Sequence, residues 1–435
     1  MKKLLSGSAI LLAGMTASAS AEELTLCWAA WDPANALVEL SKDFEAQSGH
    51  KMNFEFVPWP NFADRIMNEL NSGGQLCDLL IGDSQWIGGG AENGHYVKLN
   101  DFFDAEGISM DDFAPATVYA YSTWPKGTPN YYALPAMGDA NGWFYRKDWF
   151  ARPEIQAEFK EKHGRDLAEP KTQKELLEIA QFFQGREIDG KTVYGASIFT
   201  ERGSEGITMG ITSALYAWGV QYENTPGKYD MEGAINSAAA VEALEFYKEF
   251  YDTATPPGYT NAYMGESLDA FKSGQVAMAM NWFAFFPGLY ADPATGGDKI
   301  DFFVNPAQVT AGSTLGGQGI SVVSYSTKQD AALEYIKWFA QADVQKKWWK
   351  MGGYSCLKAV LEDPDFVNSQ PFAADFLEAM ANVRDFWQEP VYAELLLAMQ
   401  ERMHAYVVGG TGTAQEALDG LVADWTEVFK AEGKL

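Results

Sequence analysis

Four tryptophans stand where an apolar, strand-like run gives way to a loop. Trp28 and Trp31 flank the end of the first such run, Trp59 follows the second, and Trp86 follows the third within Gly82-Asp-Ser-Gln-Trp86. A flat indole face stacks on the apolar face of a sugar ring, and several indoles together cage a quaternary ammonium group by cation–π attraction. The same rings also serve as core packing. Asp32, Asp83 and Asp139 lie in turn-like segments after apolar runs. They are placed to accept hydrogen bonds from ligand hydroxyls, or to cap turns and helices.

A fifth ring closes another run. Asp269 to Ser273 read as the last turns of a helix stopped by Gly274, and Gln275 to Met280 as a buried strand ending in Asn281-Trp282. Arg202 and Glu205 share the loop Thr200-Glu-Arg-Gly-Ser-Glu-Gly206. The guanidinium can fork onto vicinal hydroxyls or a carboxylate, or pair with Glu205 in an exposed loop. Arg384, before Glu389-Pro390, either reaches a cleft or braces a helical region; an arginine at the site would favour an acidic sugar.

The elements that must position these residues follow from periodicity. Glu23–Trp28, Lys51–Val57 and Cys77–Gly82 read as strands; Asn35–Gln47 and Asn61–Leu70 read as the helices between them, with Trp59-Pro60 closing the second strand. Strands alternating with helices at this rhythm imply parallel pairing with helices on both faces. In such open sheets a ligand sits beyond the carboxyl ends of the strands, where the tryptophans lie. The pattern returns in a strand at Gly142–Arg146, a helix at Thr172–Phe183, a strand at Val193–Phe199 and helices at Ala234–Tyr251 and Asp330–Ala340. From about Glu362 the chain reads as mostly helical.

Composition narrows the function class. A formal charge of −27 repels nucleic acid and anionic lipid, which need clustered Lys and Arg. His50, His95, His163 and His404 show no metal-ligand spacing. No Gly-x-Ser-x-Gly elbow, phosphate-binding loop or dinucleotide fingerprint occurs, so neither metal nor cofactor is expected. Lys2 and Lys3, an apolar run from Leu4 to Met15 and Ala19-Ser20-Ala21 read as a cleaved secretory leader over 1–21. Cys27, Cys77 and Cys356 form an odd set that allows one bridge in an oxidising compartment, with the pairing left open.

Asp269 to Trp282 resembles a stretch typical of family 1 extracellular solute-binding proteins, the receptors of ABC importers for sugars, and the organisation of the mature chain is similar throughout. The resemblance implies an α/β fold of two lobes, each a sheet flanked by helices, with the ligand cleft between them. It places 22–137 with 290–340 in one lobe and 138–289 with 341–435 in the other. Gly316 to Gly319 resembles the family's Gly-rich segment before a strand, which brings backbone near the ligand at Gly317 and an amide at Gln318. Gly352-Gly-Tyr-Ser355 resembles a family segment that continues into Pro, where Cys356 stands here; it adds Tyr354 to the candidates.

The expected protein is a periplasmic, monomeric, non-enzymatic receptor that closes on a mono- or oligosaccharide and hands it to the membrane permease subunits of an ABC transporter. The ligand set is Trp31, Asp32, Trp59, Asp83, Trp86, Asp139, Arg202, Asn281, Trp282, Gly317, Gln318, Tyr354 and Arg384. Two other readings stay open: a quaternary amine or betaine held by the tryptophans, and a secreted glycan-active enzyme using two carboxylates about 5–10 Å apart.

Overall fold

The computed structural model describes residues 21–435, so the expected leader lies outside the described residues apart from Ala21. The first block has three strands, β1 (Glu23–Ala29), β2 (Lys51–Val57) and β3 (Leu79–Asp83), with β1 parallel to both others. β1 is buried on both faces, as a strand covered by helices on each side must be. The helix Asp32–Ser48 buries Leu37, Leu40 and Phe44 at spacings of three and four, and Gly49 ends it in the left-handed region at φ 81°. The next helix, Trp59–Asn71, begins two residues earlier than the sequence suggests. Pro60 fits the first turn, where its missing N–H has no intrahelical acceptor to lose, so Trp59-Pro60 opens a helix instead of closing a strand.

Cys27 in β1 is bridged to Cys77 just ahead of β3, with Cα atoms 5.6 Å apart; Cys356 is free and buried. A bridge across a separation of 50 residues stabilises by about 4 kcal/mol in the chain-entropy picture.

Two long strands join this block to the second. β4 (Leu134–Arg146) pairs through Leu134–Ala140 with β9 (Ser313–Val322), antiparallel, and through Asn141–Arg146 with β7 (Val276–Trp282) and β8 (Ile300–Val304). Pro135 sits at a register shift in β4, a place where its absent donor is tolerated. β9 in turn pairs with β3 through Gln318–Val322 and with the short β10 (Val383–Arg384) through Ser313–Thr314. β6 (Lys191–Ser197) runs parallel to β7 and carries the hairpin strand β5 (Arg186–Ile188) at the edge. The path is β2-β1-β3-β9-β4-β7-β6-β5, with β10 on β9 and β8 on β4.

The Gly-rich segment therefore lies inside β9 and not before a strand. A side chain at Gly316 would meet the Trp282 ring at 2.6 Å, and one at Gly317 (φ 94°) would meet the Met137 carbonyl at 2.2 Å.

Apolar side chains collect in two cores. One gathers β1, β3, the helix Gln329–Phe339 and residues from Trp348 to Met380; the other gathers Trp143, the helices Gly206–Ala217 and Ala238–Ala254, and residues from Phe386 to Phe429. The long helix begins at Ala238 because the Ser237 hydroxyl caps the Ala240 amide, leaving Ala234–Asn236 outside it. No helix among the described residues is long and apolar enough to cross a membrane.

Candidate functional site

Between the two cores, where β4 and β9 cross, a cavity opens at the ends of β1, β3 and β7. Trp31, Trp59 and Trp282 line it. Trp31 leaves β1 just before the helix Asp32–Ser48 and lies 5.9 Å from Trp59, which the first helical turn after β2 presents to the same space. Trp28 holds Trp31 edge-on at 5.7 Å, and Phe285 stands at 6.3 Å on another side. The Trp31 indole N–H has no partner among the described residues. Trp282, the last residue of β7, reaches across β9, where Gly316 leaves room for its ring.

A chain of hydrogen bonds runs along one wall. The Trp282 indole donates to the Tyr263 hydroxyl at 3.2 Å, and that hydroxyl donates to Glu205 Oε1 at 2.7 Å. Glu205 immediately precedes Gly206–Ala217, a helix buried on every side, and so the fold draws its carboxylate inward. Burial pushes its pKa up to about 7, against the pull of the Tyr263 hydroxyl.

The opposite wall carries Asp83 and Gln318, directly paired in the antiparallel register of β3 and β9. Asp83 caps the turn Ser84–Trp86, its Oδ1 accepting the Gln85 amide at 3.0 Å and the Ser84 hydroxyl at 3.3 Å. Burial and the nearby Glu205 push it well above the carboxylate range. Asp139, in the middle of β4, accepts the Ala140 and Ala284 amides at 2.8 and 3.3 Å, yet burial holds it up at about 8. Trp28 donates to Gln318 Oε1 at 3.3 Å, and Gln85 lines the cavity with a side chain only 4% exposed.

Of the residues singled out from sequence, Trp31, Trp59, Asp83, Asp139, Trp282, Gly317 and Gln318 meet at this cavity. The others do not line it. Trp86 turns inward onto Phe62 at 5.0 Å, because it ends a tight helical turn over the first core. Asn281 precedes Trp282 in an extended strand and so points to the other face; its amide donates to the Met264 carbonyl at 3.0 Å. Tyr354 is fully buried and donates to the Phe283 carbonyl. Asp32 is exposed in the first turn of its helix, beside Gly288.

The two arginines lie elsewhere as well. Arg202 is exposed and pairs with Glu401 at 3.2 Å, while its expected loop partner Glu205 faces the cavity. Arg384 lies over the Tyr216 ring at 5.6 Å and donates to the Val220 carbonyl at 3.3 Å. It borders a wider, separate chamber with Lys126 and Asp385, and Leu315 borders both spaces. Burial lowers Lys126 to about 7 and raises Asp385 to about 6.

Gln85, Tyr263, Met209 and Met264 line the inner wall without having been singled out, and Glu205, named only as a loop partner for Arg202, lines it too. The one signal for Glu205 was its position ahead of a run, Gly206–Ala217, too apolar to be a surface helix.

A family model described as bacterial extracellular solute-binding protein matches residues 30–346. Among curated relatives, the chain is 22% identical over 349 residues to a probable amino-acid ABC transporter periplasmic-binding protein of Sinorhizobium fredii, covering 77% of this chain and 73% of that one. It is 24% identical over 383 residues to a probable ABC transporter-binding protein of Deinococcus radiodurans, covering 86% and 85%. An ABC transporter solute-binding protein from Agrobacterium radiobacter K84 in complex with ribitol superposes with a TM-score of 0.77 at 22% identity, over 94% of this chain and 98% of that one. Maltose-bound MalE3 of T. maritima gives 0.79 at 22% identity, over 94% and 100%. These likenesses establish a periplasmic-binding-protein fold.

Proposed function

This chain belongs to the bacterial extracellular solute-binding protein family, and on that premise we propose that it captures a small carbohydrate or polyol and delivers it to an ABC importer. It is a solute-binding protein of ABC transporters, a receptor and not an enzyme. The observation that carries the narrower reading is the meeting of Trp31, Trp59 and Trp282 with Asp83, Gln85 and Gln318 around one cavity. Ring faces take the apolar face of a sugar, and the carboxylate and amides take its hydroxyls. The neighbours bound to ribitol and maltose add support from the same fold.

Capture works by closure. The β4 and β9 strands pass between the two cores beside Asp139 and Gly317, so bending there opens and shuts the cavity. A ligand favours the closed form by the contacts it makes only there. The importer's permease subunits then meet the closed face of a monomer released into the periplasm.

A melting screen against monosaccharides, disaccharides, polyols, amino acids and betaines tests this. A carbohydrate or polyol at 100 to 1,000 times its Kd stabilises the folded protein by about 3–4 kcal/mol. Stabilisation by amino acids alone would contradict the carbohydrate reading and leave the receptor assignment intact.

A further inference from the structure

We propose that the solute this cavity takes is cationic: a carbohydrate or polyol bearing a protonated amine, its ammonium set against Asp83 and Glu205 and its hydroxyls against Gln85 and Gln318. The inference rests on reading the cavity as the ligand site and narrows what enters it.

The charge census of the wall comes first. Three carboxylates line the cavity, and among the described residues no Lys, Arg or His does. Burial with no cation alongside holds these carboxyls above their ordinary range, so a neutral sugar closing over them keeps them protonated, whereas an ammonium supplies the counter-charge that lets them ionise in a dry site. The protein supplies no such charge from within: Arg202 is spent on Glu401, and Arg384 and Lys126 face the other chamber.

The directions left open on these groups point the same way. Every hydrogen bond that Asp83 and Asp139 accept falls on Oδ1. Glu205 receives Tyr263 on Oε1. An ammonium brings several N–H donors to the remaining oxygens, and charge-assisted bonds of this kind are about twice as strong as neutral ones.

A second, independent observation is the state of the amides. Gln85 is 4% exposed, and its side chain has no hydrogen bond among the described residues. Gln318, at 1%, uses its oxygen on Trp28 and leaves its NH₂ without a partner among them. These amides give onto the cavity, where ligand hydroxyls pair with them, and the Trp31 indole N–H, buried without a partner among the described residues, is the costly group that a ligand oxygen satisfies. The rings of Trp31, Trp59, Trp282 and Tyr263 add cation–π attraction for the same charge. A metal ion does not fit the role. Among the described residues no three His, Cys, Asp or Glu side chains converge to hold one, whereas hard cations need a closed shell of oxygens.

Titration calorimetry separates the alternatives with D-glucosamine and 1-amino-1-deoxy-D-sorbitol, their neutral counterparts glucose, N-acetylglucosamine and sorbitol, and choline as a quaternary cation. The amines are expected to bind at least tenfold tighter than the neutral molecule of the same skeleton. Glu205→Gln and Asp83→Asn, each checked by melting, are expected to shrink that ratio. Neutral molecules binding as tightly as amines would overturn the charge inference while the carbohydrate receptor stands. Choline binding without the amines would overturn it in favour of a bare aromatic cage. Failure of every sugar, polyol and amine would overturn both readings.

Discussion

At the scale of single residues, the site is set by which side chains the fold forces out of water. Asp139, Glu205 and Asp83 are held above their ordinary range chiefly by burial, with neighbouring carboxyls adding to it for Asp83 and Glu205. Around Glu205 the charged and titratable neighbours are Asp83, Asp385, Glu201, Tyr263 and Tyr392, and around Asp139 they are Tyr121 and Tyr354. None of these is a cation. A carboxyl with a raised folded pKa keeps its proton when the unfolded chain has lost it, so stability falls as pH rises between the two values. For Asp139 that window runs from 3.8 to about 8, and for Glu205 from 4.5 to about 7. The empty protein is therefore expected to melt higher at pH 6 than at pH 8, and Asp139→Asn to flatten the difference. An unchanged melting temperature across that interval would show the carboxylates are ionised and solvated. The same scale explains what the sequence concealed. Trp31, Trp59 and Trp282 were legible because each follows a strand-like run. Asn281 was misread because neighbours in a strand face opposite ways, and Glu205 because its loop looked like a surface ion pair with Arg202.

At the scale of elements, the crossing of β4 and β9 matters most. The sequence shows an aromatic strand at Gly142–Arg146 and a separate Gly-rich stretch. It does not show that both are halves of longer strands paired with each other, since that pairing links Leu134–Ala140 to a segment some 180 residues away. Local periodicity cannot report such a contact. The glycines of the Gly-rich stretch look like a flexible turn, yet Gly316, Gly317 and Gly319 are all demanded by close approach. Gly317 is left-handed at φ 94° with the Met137 carbonyl and the Tyr121 hydroxyl where a Cβ would stand, while Gly352 is left-handed at φ 97° with open space around it. Backbone strain alone costs about 1–3 kcal/mol at either position. Melting of Gly317→Ala and Gly352→Ala should thus show a clearly larger loss for Gly317. Equal losses would mean β9 yields at this crossing without resistance. The parallel block of β1, β2 and β3, by contrast, was legible apart from the helix start at Trp59-Pro60, because its strand–helix–strand rhythm is local and its helices carry clean spacings.

At the scale of the whole molecule, two cores joined by two long strands leave a cavity where aromatic rings and carboxylates from both sides meet. That geometry is what a capture-and-release receptor needs, and the family membership fits it. The central claim is that this cavity, and not the wider chamber beside Arg384, is where the solute binds. Titration calorimetry of the protein with the strongest hit from the screen, run on wild type and on Trp31→Ala, tests it most directly. Trp31 is only partly buried, so its removal reports on the site more than on the fold. The account predicts one ligand per chain and at least a tenfold weaker Kd in Trp31→Ala, a change of about 1.4 kcal/mol. Undiminished binding in a folded Trp31→Ala protein would place the ligand elsewhere and contradict it.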